Sequence, residues 1–144
     1  MAVTVFAAID IGSYEVSMKI FEFSRKIGFR DLNDVRYRLE IGKGVYSNRR
    51  LDPEIVDAIC TILKDFRRIM EEFGVEDYRA CATSAFREMV NPVIIQEQIF
   101  QRTGIRVEIL SNAEQHFLGY KSIAAKEAGF KKMIQKGTAI LDIG

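Results

Sequence analysis

Residues 3–11 read VTVFAAIDI, an almost unbroken apolar run that reaches Asp10 before Gly12 turns the chain. A strand with one wet face would alternate. A continuous run instead predicts a central strand covered on both faces, and such a strand needs helices packed against its sheet. The chain that follows supplies both. From Val16, apolar residues alternate (Val16, Met18, Ile20) against Ser17 and Lys19, and the phase slips at Phe21 and Phe23, as a bulge would cause. A third run sets Val35, Tyr37, Leu39 and Ile41 against Arg36, Arg38 and Glu40, which predicts a strand over residues 35–41 with one wet face.

The first helix is signalled by Asp52-Pro53, an N-cap with a first-turn proline, and by the stripe Ile55, Ile59, Ile62, Leu63, Phe66, Ile69, Met70 and Phe73. Gly74 stops it. A strand over residues 78–82, a loop over 83–90, a helix from Asn91-Pro92 to near Gly104 and a strand over 105–110 follow. Ser111 with Glu114 three residues later is a capping-box pattern opening a helix through about Ala128. A polar stretch over residues 131–136 precedes renewed strand character over 137–143. The order β-β-β-α-β-α-β-α plus a final strand implies an α/β fold with a mixed sheet.

At 144 residues and 48% hydrophobic, the chain can close one core and has little room for two. Its 21 basic and 20 acidic residues nearly cancel without a long basic run, so no nucleic-acid partner is expected and any anion site must be local. Cys60 and Cys81 sit in apolar surroundings without metal-ligand spacing and read as reduced, packed thiols of a cytoplasmic protein. The N-terminus lacks the features of a signal peptide, and no run approaches the roughly 20 apolar residues of a membrane span, so no membrane partner is expected.

Ligand sites in such sheets collect at strand ends, here residues 10–14, 83–87, the Ser111 helix start and 142–144. Asp10, ending a buried strand, suits a divalent ion or its water; Gly12 lets backbone N–H groups approach a phosphate, and Ser13 adds a hydroxyl. A tight hairpin explains Gly12 equally well. Leu141-Asp142-Ile143-Gly144 repeats the Ile9-Asp10-Ile11-Gly12 pattern, which points to a pair of facing phosphate turns. Arg87 offers a fork of donors to a phosphate, with Thr83 and Ser84 beside it; the alternative is a solvated arginine starting a short helical turn.

The stretches FAAIDIGSYEVSMKIFEF, CATSAFREMVN, ILSNAEQHFLGY and ILDIG, in this order, resemble the N-terminal part of the exopolyphosphatase and guanosine pentaphosphate phosphatase (Ppx/GppA) family. In that family the second and third stretches read as ATSALREAxN and ISGxEEARL, and the fourth as the start of DIGGGS. The resemblance covers nearly the whole chain. It implies a ribonuclease H-like (actin-like ATPase) lobe, with residues 1–130 the first lobe of a phosphatase core and 131–144 the start of a second, truncated one. It further implies that Asp10, Gly12, Ser13, Tyr14 and Arg87 face a phosphate cleft, together with Asp142 and Gly144, and that Asp10 and Asp142 hold Mg2+ or another divalent cation.

Three departures accompany the resemblance. Tyr14 stands where the family carries asparagine. Gln115, next to Glu114, stands where the family has the second of two glutamates, the general base; glutamine cannot take a proton at neutral pH. Phe117 replaces an arginine, and His116, the sole histidine, stands between. His116 has a suitable unperturbed pKa for a base, but it points about 100° away from Gln115 on a helix. The catalytic candidates are therefore Gln115 and Glu114, the latter also explained by its capping role. The resemblance implies release of terminal phosphate from polyphosphate or pppGpp, the fragment alone being inactive. The alternative is a non-catalytic phosphate or nucleotide sensor with a degenerate site. An apolar final strand would pair or fray, and pairing with a second copy would give a homodimer.

Overall fold

The computed structural model describes residues 3–26 and 28–141. They divide into two compact units, Met1–Ile109 and Leu110–Gly144. The first contains β1 (Thr4–Ile11), β2 (Glu15–Ser24), β3 (Gly28–Arg38), α1 (Ile41–Asn48), α2 (Pro53–Glu72), β4 (Asp77–Ala82), α3 (Ser84–Glu88), α4 (Pro92–Thr103) and β5 (Val107–Ile109). The second contains α5 (Asn112–Lys126) and α6 (Phe130–Gln135).

The five strands form one mixed sheet in the order β3-β2-β1-β4-β5. β1 is central, antiparallel to β2 and parallel to β4, while β3 lies at an edge. On one face Ala7, Ile9, Ile11, Val16, Met18, Ile20, Ala80 and Ala82 are buried. They share a core with Val56, Ile59, Cys60, Leu63, Phe66, Ile69 and Met70 of α2. Each large apolar side chain fully buried there contributes about 1.5–3 kcal/mol. The α2 stripe follows the expected period, except that Ile55 and Ile62 are only partly buried and Phe73 is exposed. Pro53 opens this helix, with Asp52 in extended conformation at the cap position but making no side-chain cap bond. The left-handed glycines Gly74 (φ +63) and Gly104 (φ +71) follow α2 and α4.

β1 is not covered on both faces as its composition implied. Ala8 and Asp10 are exposed among the described residues, and Phe6 is half-buried. Phe6 packs against Phe21 (ring centroids 5.5 Å apart), and Phe29 packs against Phe21 and Phe23 at 5.6 and 4.8 Å. These aromatic pairs explain the apolar residues on that side and also the phase slip in β2. The β1–β2 pairing runs unbroken through Phe6↔Phe21, so Phe21 and Phe23 simply share the opposite face. The irregularity lies between β2 and β3, at Ile20/Phe21, where Asn33 and Asp31 are the successive partners and Leu32 is the extra residue.

Short helices account for the other departures. Ile41 opens α1 instead of ending β3, because Ile41 and Val45, one turn apart, both bury completely. The expected loop after β4 contains α3, anchored by buried Ala85 and Phe86, and the polar stretch after residue 130 forms α6. In the second unit Ser111 caps α5 through the full reciprocal capping box. Residues 137–141 are not in a strand, and Leu141 is 86% exposed; with no partner strand among the described residues, backbone groups there lack the ladder that holds a strand. Residues 142 and 143 of the expected strand lie outside the described residues.

Candidate active site

The β1–β2 hairpin brings the first candidates together. Gly12 N–H donates to the Glu15 carbonyl at 2.9 Å, leaving Ser13 and Tyr14 at the tip. The Gly12 amide is thus engaged by the hairpin, and the glycine supplies clearance: a Cβ there would stand 3.2 Å from the Glu15 carbonyl oxygen. The tip is tied down by its own carbonyls, Ser13 accepting from Gly42 N–H at 2.8 Å and Tyr14 from Leu39 N–H at 2.9 Å. Parallel pairing of β1 with β4 continues past the strands, as Thr83 N–H donates to the Ile11 carbonyl at 3.3 Å. The hairpin tip and the start of α3 are thereby placed side by side.

Three hydroxyls meet at this point. Ser13 Oγ lies 2.8 Å from Ser84 Oγ and 2.8 Å from Tyr46 Oη, and Tyr46 Oη lies 3.0 Å from Ser84 Oγ. Arg87 is half-buried and rides on the same short helix as Ser84, three residues on and hence on a neighbouring face. Tyr14 is exposed, with the Arg38 guanidinium 4.6 Å above its ring. Sequence reasoning marked Ser13, Ser84 and Arg87 but missed Tyr46. The available signal was the spacing of Ile41 with Val45 and of Gly42 with Tyr46, both one helical turn.

Asp10 ends β1 in register with Ser17 of β2 and Cys81 of β4. It retains exposed surface, yet surrounding protein atoms desolvate the carboxyl and, with the charge of Glu15, raise its pKa above the ordinary carboxylate value. A cation would relieve that cost. Among the described residues no group of three or more His, Cys, Asp or Glu forms a metal cluster. Mg2+ keeps several waters and substrate oxygens and needs only one or two protein carboxylates, a requirement Asp10 meets. Asp142 and Gly144 lie outside the described residues. Cys60 is buried, which raises its thiol pKa, and Cys81 is half-buried; neither is in a disulfide.

In the second unit, Glu114 accepts hydrogen bonds from the Ser111 N–H and hydroxyl at 2.8 and 2.7 Å, as a capping residue does. Gln115 is the next residue of α5, its N–H donating to the Ser111 carbonyl. His116 lines a groove with Gly119, Tyr120, Ser122 and Ile123. No helix among the described residues is long and apolar enough to cross a membrane.

The structure is an α/β lobe with a mixed sheet, and its candidate site lies where hydroxyls and a carboxylate fall at the carboxyl end of the central strand. Comparison with known proteins gives the family. The Ppx/GppA phosphatase family model matches residues 20–143, and the chain belongs to that family. The chain is 29% identical over 133 residues to exopolyphosphatase 2 of Mycobacterium tuberculosis, covering 84% of this chain and 40% of the relative. It is 25% identical over 149 residues to the bifunctional 3-dehydroquinate synthase/phosphatase of Fusobacterium nucleatum, covering 96% of this chain and 21% of the relative. Guanosine-5'-triphosphate,3'-diphosphate pyrophosphatase of Photobacterium profundum is 24% identical over 96% of this chain and 27% of its own length. The crystal structure of the Aquifex aeolicus Ppx/GppA family member superposes with a TM-score of 0.80 at 25% identity, over 85% of this chain and 40% of that one. The fold is accordingly that of the actin-like ATPases, and the chain spans 21–40% of the length of these curated relatives.

Proposed function

We propose that the whole protein is a phosphoanhydride hydrolase, releasing terminal phosphate from inorganic polyphosphate or from pppGpp in the cytoplasm. What carries this reading is the gathering of Ser13 and Ser84 beside the Arg87 helix, at the end of the strand that bears a desolvated Asp10. Residues 1–130 belong in this view to the first lobe and 131–144 to the beginning of the second. Ser13 and Arg87 bind and orient the terminal phosphoryl group, and Gly12 keeps the turn compact. Asp10 would hold a divalent cation, Mg2+ being the natural choice, and Asp142 is a second candidate ligand by its repeated Asp-Ile-Gly motif; such an ion would supply charge neutralisation at the phosphate oxygens. Phosphoryl transfer depends chiefly on positioning and charge neutralisation, so a strong base is not indispensable. Gln115 and Glu114 are the catalytic candidates of the second unit, Gln115 able to orient a water through its side-chain carbonyl and Glu114 fixing the helix start that carries it.

The alternative, a phosphate or nucleotide sensor, is favoured by one observation: Gln115 cannot accept a proton where the family has its base. The deciding experiment is phosphate release by the full-length protein from long-chain polyphosphate and from pppGpp, with Mg2+ and with chelator. Mg2+-dependent release supports the hydrolase. Binding of either compound without release supports the sensor.

A further inference from the structure

We propose that Tyr46, with Ser13 and Ser84, forms a three-hydroxyl receptor for one terminal oxygen of the bound phosphoryl group. This rests on the functional reading above and adds a specificity-determining ligand to it. The three oxygens come from separate segments, the β1–β2 turn, α1 and the start of α3, yet lie 2.8, 2.8 and 3.0 Å from one another. Each hydroxyl carries one proton, so the closed triangle uses all three donors internally. An anionic oxygen seated over the triangle, about 2.8 Å from each, can receive all three protons by rotation of the O–H bonds alone. No heavy atom need move. The exchange is favourable because hydrogen bonds to a charged acceptor are roughly twice as strong as neutral ones.

Two features set Tyr46 apart from core filling. Its side chain is 56% exposed, so burial does not hold it there. Gly42 lies one turn earlier in α1, where a Cβ would come within 2.6 Å of the Tyr46 ring and 3.1 Å of Ser13 Cβ. Its N–H donates to the Ser13 carbonyl. A glycine inside a helix is a conformational cost, and here it leaves the space in which the tyrosine ring leans over Ser13. The preferred ligand is a tetrahedral oxyanion at the end of a chain, such as the terminal group of a polyphosphate.

The test is calorimetric titration of the full-length protein with inorganic tripolyphosphate, comparing wild type, Tyr46→Phe and Gly42→Ala. Tyr46→Phe deletes one hydrogen bond to a charged acceptor and is expected to weaken binding about tenfold, with circular dichroism confirming that the variant stays folded. Gly42→Ala keeps every hydroxyl but displaces the ring, and is expected to weaken binding comparably while the helix itself is favoured. Unchanged affinity in both variants would overturn the receptor and leave the phosphate reading standing. Tighter binding by Tyr46→Phe would overturn it too, showing that tyrosine competes with phosphate for the serines. Wild-type protein that fails to bind tripolyphosphate would overturn both readings.

Discussion

Phe86→Ala probes how the fold holds the site, because α3 cannot hold itself. A five-residue helix is far below the length at which isolated helices persist, and one of its few backbone bonds is Arg87 N–H to the Thr83 carbonyl at 3.2 Å. Its anchor is Phe86, 0% exposed, with Ala85 at 1% beside it. Removing the ring forfeits a transfer free energy of roughly 1.5–3 kcal/mol. With the cavity left behind, the total reaches about 3–5 kcal/mol. For a unit of this size each kcal/mol moves the melting midpoint by about 4–8 °C, so a fall of at least about 12 °C is expected in thermal melts followed by circular dichroism. Phe86→Leu, which keeps most of the volume, should lose less than about 1.5 kcal/mol and remain folded at 25 °C. In that folded variant Ser84 and Arg87 shift with the helix, and tripolyphosphate affinity should drop. A Phe86→Ala loss under about 1 kcal/mol would refute the anchoring, being an ordinary surface-like effect.

Asp10→Asn should raise the melting midpoint at pH 7. The Asp10 carboxyl is raised in the folded chain, so stability falls as pH climbs from the ordinary carboxylate value to the raised one and stays lower above it. The gain should vanish below about pH 4, where the wild-type group is protonated in both states; an equal gain at pH 3 and pH 7 would contradict the linkage. Ser111→Ala removes the α5 cap, and amide exchange in the first turn should accelerate about fivefold, corresponding to roughly 1 kcal/mol; unchanged exchange would exclude a stabilising cap. Sedimentation should show concentration-dependent self-association of the 144-residue chain but not of one ending at Lys136, since Ile140 and Leu141 are exposed and suited to adding along a sheet edge. Equal behaviour of the two would place any interface elsewhere.

The elements legible in the sequence are those with a local signal. The hairpin at Gly12, the proline-opened α2 and α4, their glycine stops and the Ser111 capping box each sit where a few adjacent residues require them. The short helices α1 and α3 carried no such period, because two or three buried residues are too few to distinguish a helical turn from a strand end, and α6 buries none. The two-faced covering expected of β1 failed because Ala8 and Asp10 stay exposed, while Phe6 on that side packs against a ring of the neighbouring strand, a cross-strand effect that a single run cannot display. At the candidate site, the positions of Asp10, Ser13 and Arg87 at or just beyond strand ends were legible. Tyr46 was not, since it meets Ser13 and Ser84 across 33 and 38 residues of sequence and only the folded chain joins them.

The most direct measurement is phosphate release from polyphosphate by the full-length protein with Mg2+, for wild type, Arg87→Ala and Gln115→Glu. A hydrolase built on positioning and charge should show wild-type turnover, a loss of about 100-fold or more in kcat/KM for Arg87→Ala, and at most a modest rise for Gln115→Glu. No turnover by wild type, with robust release appearing only in Gln115→Glu, would contradict the hydrolase and identify a sensor whose base has been lost.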